Sequence, residues 1–216
     1  MAANQLAVYN LALVEALGEE PLVSGEDSTT KRTLDAVWTA GNGFVRACLE
    51  QGYWAFAMRA ISLDSSASVD PAFGLSFAFA EPTDMVRLNQ ISADEFFTTP
   101  LNRYERERGY IYADVDPLYL RYVSDDGSFG GDMSLWPESF LRWVAHDLAL
   151  RVAPKVKSAT NIAELRKDAN KFLVDARSKD AQQQPTRFPP QGSWVRARLG
   201  SNRRNRDGGS RSTLIG

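Results

Sequence analysis

Apolar residues recur at helical spacing near both ends of the chain and at alternating spacing in the middle. In residues 4–17 their spacing is mixed but includes helical intervals of three and four positions, and the pattern stops at Gly18, which predicts a short helix. Residues 28–51 continue the helical pattern through Gly41 and Gly43, and two glycines there predict a kink or a short break. Residues 134–153 and 160–184 repeat the pattern and predict two longer helices.

Between residues 58 and 125 the apolar pattern changes to a period of two. Short alternating runs are separated by dipeptides that favour turns, such as Asp70-Pro71 and Asp126-Gly127. This stretch therefore predicts a small, mostly antiparallel β region inserted between the second and third helices.

Together these elements predict an α+β fold, in which a four-helix bundle carries an inserted antiparallel β region and an extended basic C-terminal tail. The predicted parts are residues 1–57 for the N-terminal helices, 58–130 for the β region, 131–185 for the C-terminal helices and 186–216 for the arm.

Charge separates that arm from the rest of the chain. Residues 186–216 contain seven arginines and one acid, a net charge of +6, whereas residues 1–185 contain 18 bases and 26 acids, a net charge of −8. The arm also contains Pro189-Pro190 and five glycines, so it has little apolar surface to bury by itself. We expect it to become ordered only against an acidic partner.

Other features narrow the class of protein. The single cysteine, Cys48, excludes an internal disulfide framework and favours a reducing compartment. No apolar run reaches the ~20 residues of a membrane span, and the N-terminus does not resemble a signal peptide. These features predict a protein made in the cytoplasm, without a membrane partner.

Candidate catalytic and metal-binding residues are few. His146 is the only histidine, and it has no cysteine or acid at ligand spacing, so a structural role is the better interpretation. Cys48 has no nearby base and is interpreted as a buried thiol. Asp114, Asp116 and Asp125-Asp126 flank turns, where aspartate commonly binds local backbone. The sequence therefore predicts no catalytic residue, no metal site and no cofactor, and it predicts that the protein is not an enzyme.

The basic arm has three interpretations: a solvated end without a partner, a nucleic-acid-binding segment, or a segment that docks on a protein. Trp194 and the apolar end Leu214-Ile215 favour protein docking, because tryptophan and arginine are common interface anchors. Trp194 would also suit stacking on bases, so binding of nucleic acid stays open.

A series of short sequence blocks forms a recognisable order along the chain. The blocks, which cover about residues 4–200, are 10–13 with Leu17-Gly18, 26–28 with 36–38, 53–57 (Tyr-Trp-Ala-Phe-Ala), 81–84 (Glu-Pro-Thr-Asp), 120–123, 136–140 with 148–149, 176–177 and 180–181. In this order they resemble the tail tubular protein A family of bacteriophages, the head–tail adaptors of short-tailed phages. Tyr53, Ala55 and Glu81 depart from the family pattern, which has Pro, Asn and Leu at these positions.

This resemblance implies a structural virion protein at the portal vertex, which forms a homo-oligomeric ring of usually twelve copies. Its implied partners are the portal protein, the tail nozzle protein and double-stranded DNA, which passes through the lumen without sequence recognition. The β region would face the tail and the arm would dock on the portal. The predicted portal contacts are Trp194, Arg203, Arg204, Arg206, Arg211, Leu214 and Ile215.

Two alternative functions stay open. One is a nucleic-acid-binding protein that uses the arginine-rich arm. The other is a tail-associated cell-wall hydrolase, which would need a pair of carboxylates such as Asp114 and Asp116.

Overall fold

The computed structural model describes residues 4–66, 69–98, 100–156 and 161–183, and five α-helices lie at the two ends of that part of the chain. α1 continues into a π-helical segment, Ala12–Leu17, which ends at Gly18 in the left-handed conformation, with a φ of 65°. The helices are α1 (Gln5–Leu11), α2 (Thr29–Trp38), α3 (Phe44–Leu49), α4 (Glu138–Val156) and α5 (Ile162–Gln183).

Six strands lie between α3 and α4 and form two three-stranded antiparallel sheets. The first sheet has the order β1–β6–β3, and β1 pairs with β6 from Met58 opposite Val123 to Leu63 opposite Leu118. The second sheet has the order β2–β5–β4. The strands are β1 (Met58–Leu63), β2 (Phe77–Ala80), β3 (Met85–Ser92), β4 (Glu105–Glu107), β5 (Tyr110–Ala113) and β6 (Leu118–Ser124).

The predicted four-helix bundle is wrong, although the mixed α+β character of the prediction agrees with the structure. The second predicted helix divides into α2 and α3, because Gly41 and Gly43 have φ angles of 62° and 95°, which an α-helix does not accommodate. α4 contacts α5, α2, α1 and the π-helical segment, so it lies at the centre of an unequal helical layer. It also continues beyond its predicted end and contains Pro154 in its last turn.

All described residues belong to one compact unit, and two of its three apolar cores explain how the layers stack. The helices enclose the first core, where the ring of Trp54 stacks on Trp143 at a centroid distance of 5.6 Å. The second core lies between the two sheets and includes Phe79 and Tyr122. Val123, beside Tyr122 on β6, belongs to the first core, because successive strand residues point to opposite faces. The β1–β6–β3 sheet therefore lies between the helical layer and the other sheet.

Candidate functional site

All seven predicted portal contacts lie outside the described residues. They are Trp194, Arg203, Arg204, Arg206, Arg211, Leu214 and Ile215. The described chain nevertheless shows what precedes the arm, because α5 ends at Gln183, three residues before the arm begins. The surroundings of the last turns of α5 are therefore the nearest described geometry to the predicted site.

The last turns of α5 are bonded to the connector, which we define as residues 50–57 between α3 and β1. The backbone N–H of Ala55 donates to Asp180 Oδ1 at 2.9 Å, and Arg177 donates to the carbonyl oxygen of Gln51. Burial raises the pKa of Asp180, and the hydrogen bond from Ala55 opposes this effect. α5 thus holds the segment that joins the helical layer to the sheets.

Strand β3 bonds to the same connector. The guanidinium of Arg87 lies 4.1 Å from the ring centroid of Tyr53, which is a cation–π distance. Arg87 also donates to the carbonyl oxygen of Glu50 at 2.9 Å. The connector is therefore bonded to both α5 and β3.

A polar network around Asp84 fixes the three strands of the first sheet at the end of the sheet where β3 begins. Asp84 immediately precedes β3, and its carboxylate accepts a hydrogen bond from Arg59 of β1 at 2.8 Å. It also accepts from the hydroxyls of Tyr122 and Ser124 on β6, both of which are fully buried. One carboxylate therefore joins side chains from β1 and β6 to the start of β3.

The pKa values in this network follow from burial and charge. Burial raises the pKa of Tyr122 to about 12, and the neighbouring Asp84 charge adds to the effect. Burial alone would raise the pKa of Asp84, but the hydrogen bonds from Ser124 and Arg59 outweigh it, so this pKa lies below its ordinary value. Asp84 is thus stabilised in its charged form and Tyr122 in its neutral form.

The four aspartates considered for catalysis all bond to neighbouring parts of the protein. Asp114 Oδ1 accepts from the backbone N–H and the hydroxyl of Ser76, both at 3.0 Å, and Asp114 also pairs with Arg103. Three further bonds involve the others: Asp116 accepts from Ser65, Asp125 accepts from Arg46, and Asp126 accepts from the backbone N–H of Ser128. Within the described ranges, no group of three or more His, Cys, Asp or Glu side chains is arranged to hold a metal ion.

His146 and Cys48 occupy the structural positions that were predicted for them. Nδ1 of His146 donates to the carbonyl oxygen of Arg142 at 2.8 Å, and its buried ring contacts Phe172 of α5 at a centroid distance of 4.3 Å. Cys48 is 1% exposed, and burial raises the pKa of its thiol well above the ordinary value. Both side chains contribute to helix packing.

Two aromatic loop tips in the β region were missed by the sequence analysis. Phe73 is 56% exposed and Phe96 is 77% exposed, although large apolar side chains are usually buried. Phe73 and Phe97 also have φ angles of 60° and 56°, a conformation that non-glycine residues rarely adopt. Phe96-Phe97, a pair of aromatic residues in a loop between strands, was the available signal. Backbone strain of this kind is often found at functional sites, so the two loop tips are candidates for a contact surface.

A cleft of about 680 Å³ lies between the start of α3 and the loops of the β region. Its basic lining residues are Arg46, Arg106 and Arg151. Each of these forms a salt bridge within the chain, with Asp125, Glu81 and Asp147 respectively. The arginines of the cleft are therefore paired, and the exposed loop tips are the stronger candidates for a contact surface.

No protein-family model matches the chain, and no curated protein matches it either. Among the described residues, none of the helices is both long enough and apolar enough to span a bilayer.

Proposed function

We propose that this chain is a structural virion protein, a head–tail adaptor of a tailed bacteriophage. Copies of the chain would form a ring of twelve between the portal and the tail nozzle. The basic arm would dock on the portal, and DNA would pass through the central channel. The exposed tips at Phe73 and Phe96 would contact the next tail component.

The position of α5 is the observation that carries this proposal. Its last turns bond to the connector through Asp180 and Arg177, and the basic arm follows within three residues. A force applied to the arm would therefore be transmitted through α5 to the connector, which joins the helices to the sheets. An adaptor needs this kind of continuity between its two contact surfaces.

Charge supplies separate support. Residues 1–185 carry a net charge of −8 and the arm carries +6, so the arm would be attracted to acidic surfaces and the rest of the chain would not. Many weakly bound arms acting in one ring would produce a strong attachment. The ordered series of sequence blocks that resembles the tail tubular protein A family supports the same assignment.

The test is mass photometry of the chain alone and of the chain mixed with isolated portal rings. We expect portal particles to gain mass in a ring-sized step built from copies of 24.0 kDa. A matched chain that ends at Ser201 should lose this step, because it lacks the four distal arginines and Leu214-Ile215. If the full chain does not associate with portals, or the shortened chain docks equally well, the portal assignment is wrong.

A second pair of variants tests the opposite surface. Replacing Phe73 and Phe96 with serine should leave docking on the portal unchanged and should weaken recruitment of the nozzle protein to the portal–adaptor complex. Val174, which is 66% exposed on α5, provides the matched control, and Val174→Ser should leave nozzle recruitment intact. Equal recruitment by the phenylalanine variants and the control would exclude the loop tips as the tail contact.

A further inference from the structure

Three of the four edge strands are protected against further pairing. The backbone N–H of Ser66 donates to the carbonyl oxygen of Ala78 on β2 at 2.7 Å. β3 has irregular register, and Ser92 at its end bridges to Pro100. β4 has only three residues, all of them charged and exposed. Coverage, bulges and short charged strands are known ways to protect a sheet edge.

β1 lacks these protections in the described part of the chain. It lies at the end of the order β1–β6–β3, its register with β6 is regular over six residues, and it contains no proline. No loop backbone of the described residues bonds to residues 59–63. Its one charged residue, Arg59, pairs with Asp84. Ile61 and Leu63 lie at the rim of the second core and are only partly buried. β1 therefore has an edge that an additional strand would complete.

α5, the helix that precedes the arm in sequence, meets the connector next to the same strand. Asp180 of α5 bonds to Ala55, which is three positions before the first residue of β1. Residues 184–216 then follow, and 33 residues reach at most ~110 Å when extended. This length is ample for the arm to reach a strand of an adjacent copy.

One part of the arm has the sequence of a half-buried strand. Val195, Ala197 and Leu199 alternate with Arg196 and Arg198. Alternation of apolar and charged residues places the apolar ones on one face of a strand and the charged ones on the other. Added to β1, the apolar face would extend the rim of the second core, while the arginines would face solvent.

We propose that residues 195–199 of one copy add as a strand to the edge of β1 in a neighbouring copy. This inference rests on the proposed function, because it assumes a ring. In a ring each copy donates one strand and accepts one, so a head-to-tail contact of this kind closes without leaving an open edge. The distal part of the arm, residues 201–216, stays available for the portal.

Chemical cross-linking between differently labelled chains tests this pairing. One chain carries Ser62→Cys on the exposed face of β1, and the other carries Arg196→Cys. Cys48 is buried and stays in both. A short thiol-reactive cross-linker is applied to the mixed chains on portal rings. We expect dimers that contain one chain of each kind. Absence of mixed dimers would overturn the proposal. A third chain that carries both substitutions is cross-linked separately. If a cross-link forms only within that chain, the proposal is also overturned.

A matched pair of arm variants separates strand addition from simple charge attraction. Ala197→Asp should lower the yield of mixed dimers by about tenfold or more, because it would place an unpaired carboxylate against the apolar rim. Arg198→Asp changes the charge by twice as much but lies on the solvent face, so it should lower the yield less. The reverse order would refute strand addition and would indicate electrostatic docking.

Portal binding is measured on the same samples, so the two proposals fail separately. If the chain binds portals but no mixed dimer forms, only the strand addition is wrong. If the chain does not bind portals, cross-linking of the chain alone at high concentration still tests the pairing. Mixed dimers under that condition would uphold the strand addition and remove the adaptor role.

Discussion

Replacing Asp84 with alanine is the most informative single perturbation of the first sheet. Its carboxylate accepts hydrogen bonds from Arg59, Tyr122 and Ser124, and the side chains of Tyr122 and Ser124 are fully buried. Alanine would leave two buried hydroxyls without this acceptor and would leave Arg59 without its ion pair. β1 and β6 would then lose their common contact with the start of β3.

The expected magnitude follows from these three contacts. A buried hydroxyl that loses its partner costs about 1–3 kcal/mol. The Arg59–Asp84 pair is partly exposed, with side-chain exposures of 34% and 18%, so its loss adds about 1 kcal/mol. We expect Asp84→Ala to lower the free energy of unfolding by about 3–5 kcal/mol in total, because Ser124 can partly reorganise.

Urea unfolding followed by tryptophan fluorescence measures this change. At a slope of about 2 kcal/mol per molar urea, the midpoint should fall by roughly 2 M. Tyr122→Phe removes one of the two hydroxyls that lose their acceptor in Asp84→Ala. In a chain that already carries Tyr122→Phe, Asp84→Ala should therefore lower the free energy of unfolding by about 1–2 kcal/mol less than it does in wild type. Asp175→Ala is the control, because Asp175 forms an exposed pair with Lys179 on α5, and it should change stability by less than about 0.5 kcal/mol.

The reasoning is refuted if Asp84→Ala and Asp175→Ala unfold at the same urea concentration.

The pH dependence of stability gives a second check. Because folding lowers the pKa of Asp84, its contribution is present above the ordinary aspartate pKa and is lost as the pH falls through the lowered value. The difference between wild type and Asp84→Ala should therefore shrink in acid.

Three further predictions concern other parts of the fold. Gly130→Ala should strongly lower the melting temperature, because the added Cβ would lie 2.9 Å from the Cβ of Ala57, whereas the Cβ added by Gly127→Ala has no atom within 4 Å and should have little effect. Equal melting temperatures for the two variants would contradict this packing. Since the pKa of Tyr122 in the folded protein is about 12, its contribution to the free energy of unfolding should be complete below pH 10.0 and should decline as the pH rises toward 12. In urea unfolding the stability of Tyr122→Phe should therefore fall less over this range than that of wild type, and parallel pH profiles would contradict the raised pKa. Asp180→Asn keeps an acceptor for the backbone N–H of Ala55 and removes a charge that burial disfavours, so at neutral pH this variant should be at least as stable as wild type, whereas Asp180→Leu should be less stable. The opposite order in urea unfolding would show that the charge itself is needed.

Some of the fold follows from local sequence patterns. Alternation between residues 58 and 125 identified the antiparallel β region, because a strand with one buried face imposes a period of two. Gly18 ends the first helical segment as predicted, since glycine adopts the left-handed conformation at little cost. The possible break at Gly41 and Gly43 was also visible in the sequence for the same reason.

Other features required contacts between distant residues. The helices form an unequal layer around α4, which periodicity within each helix cannot specify. Asp84 bonds to residues 25, 38 and 40 positions away, and Asp180 bonds to Ala55 across 125 positions. Local patterns carry no information about such pairs.

The order of helices and strands, the separation of charge between residues 1–185 and the basic arm, and the resemblance on which the adaptor hypothesis rests could all be read from the sequence. The stacking of the two sheets, the sheet edge that has no partner among the described residues, and the contact of α5 with the connector could be read only from the folded chain. Periodicity and charge are properties of neighbouring residues. Layer order and edge exposure depend on which apolar faces meet once the whole chain has folded.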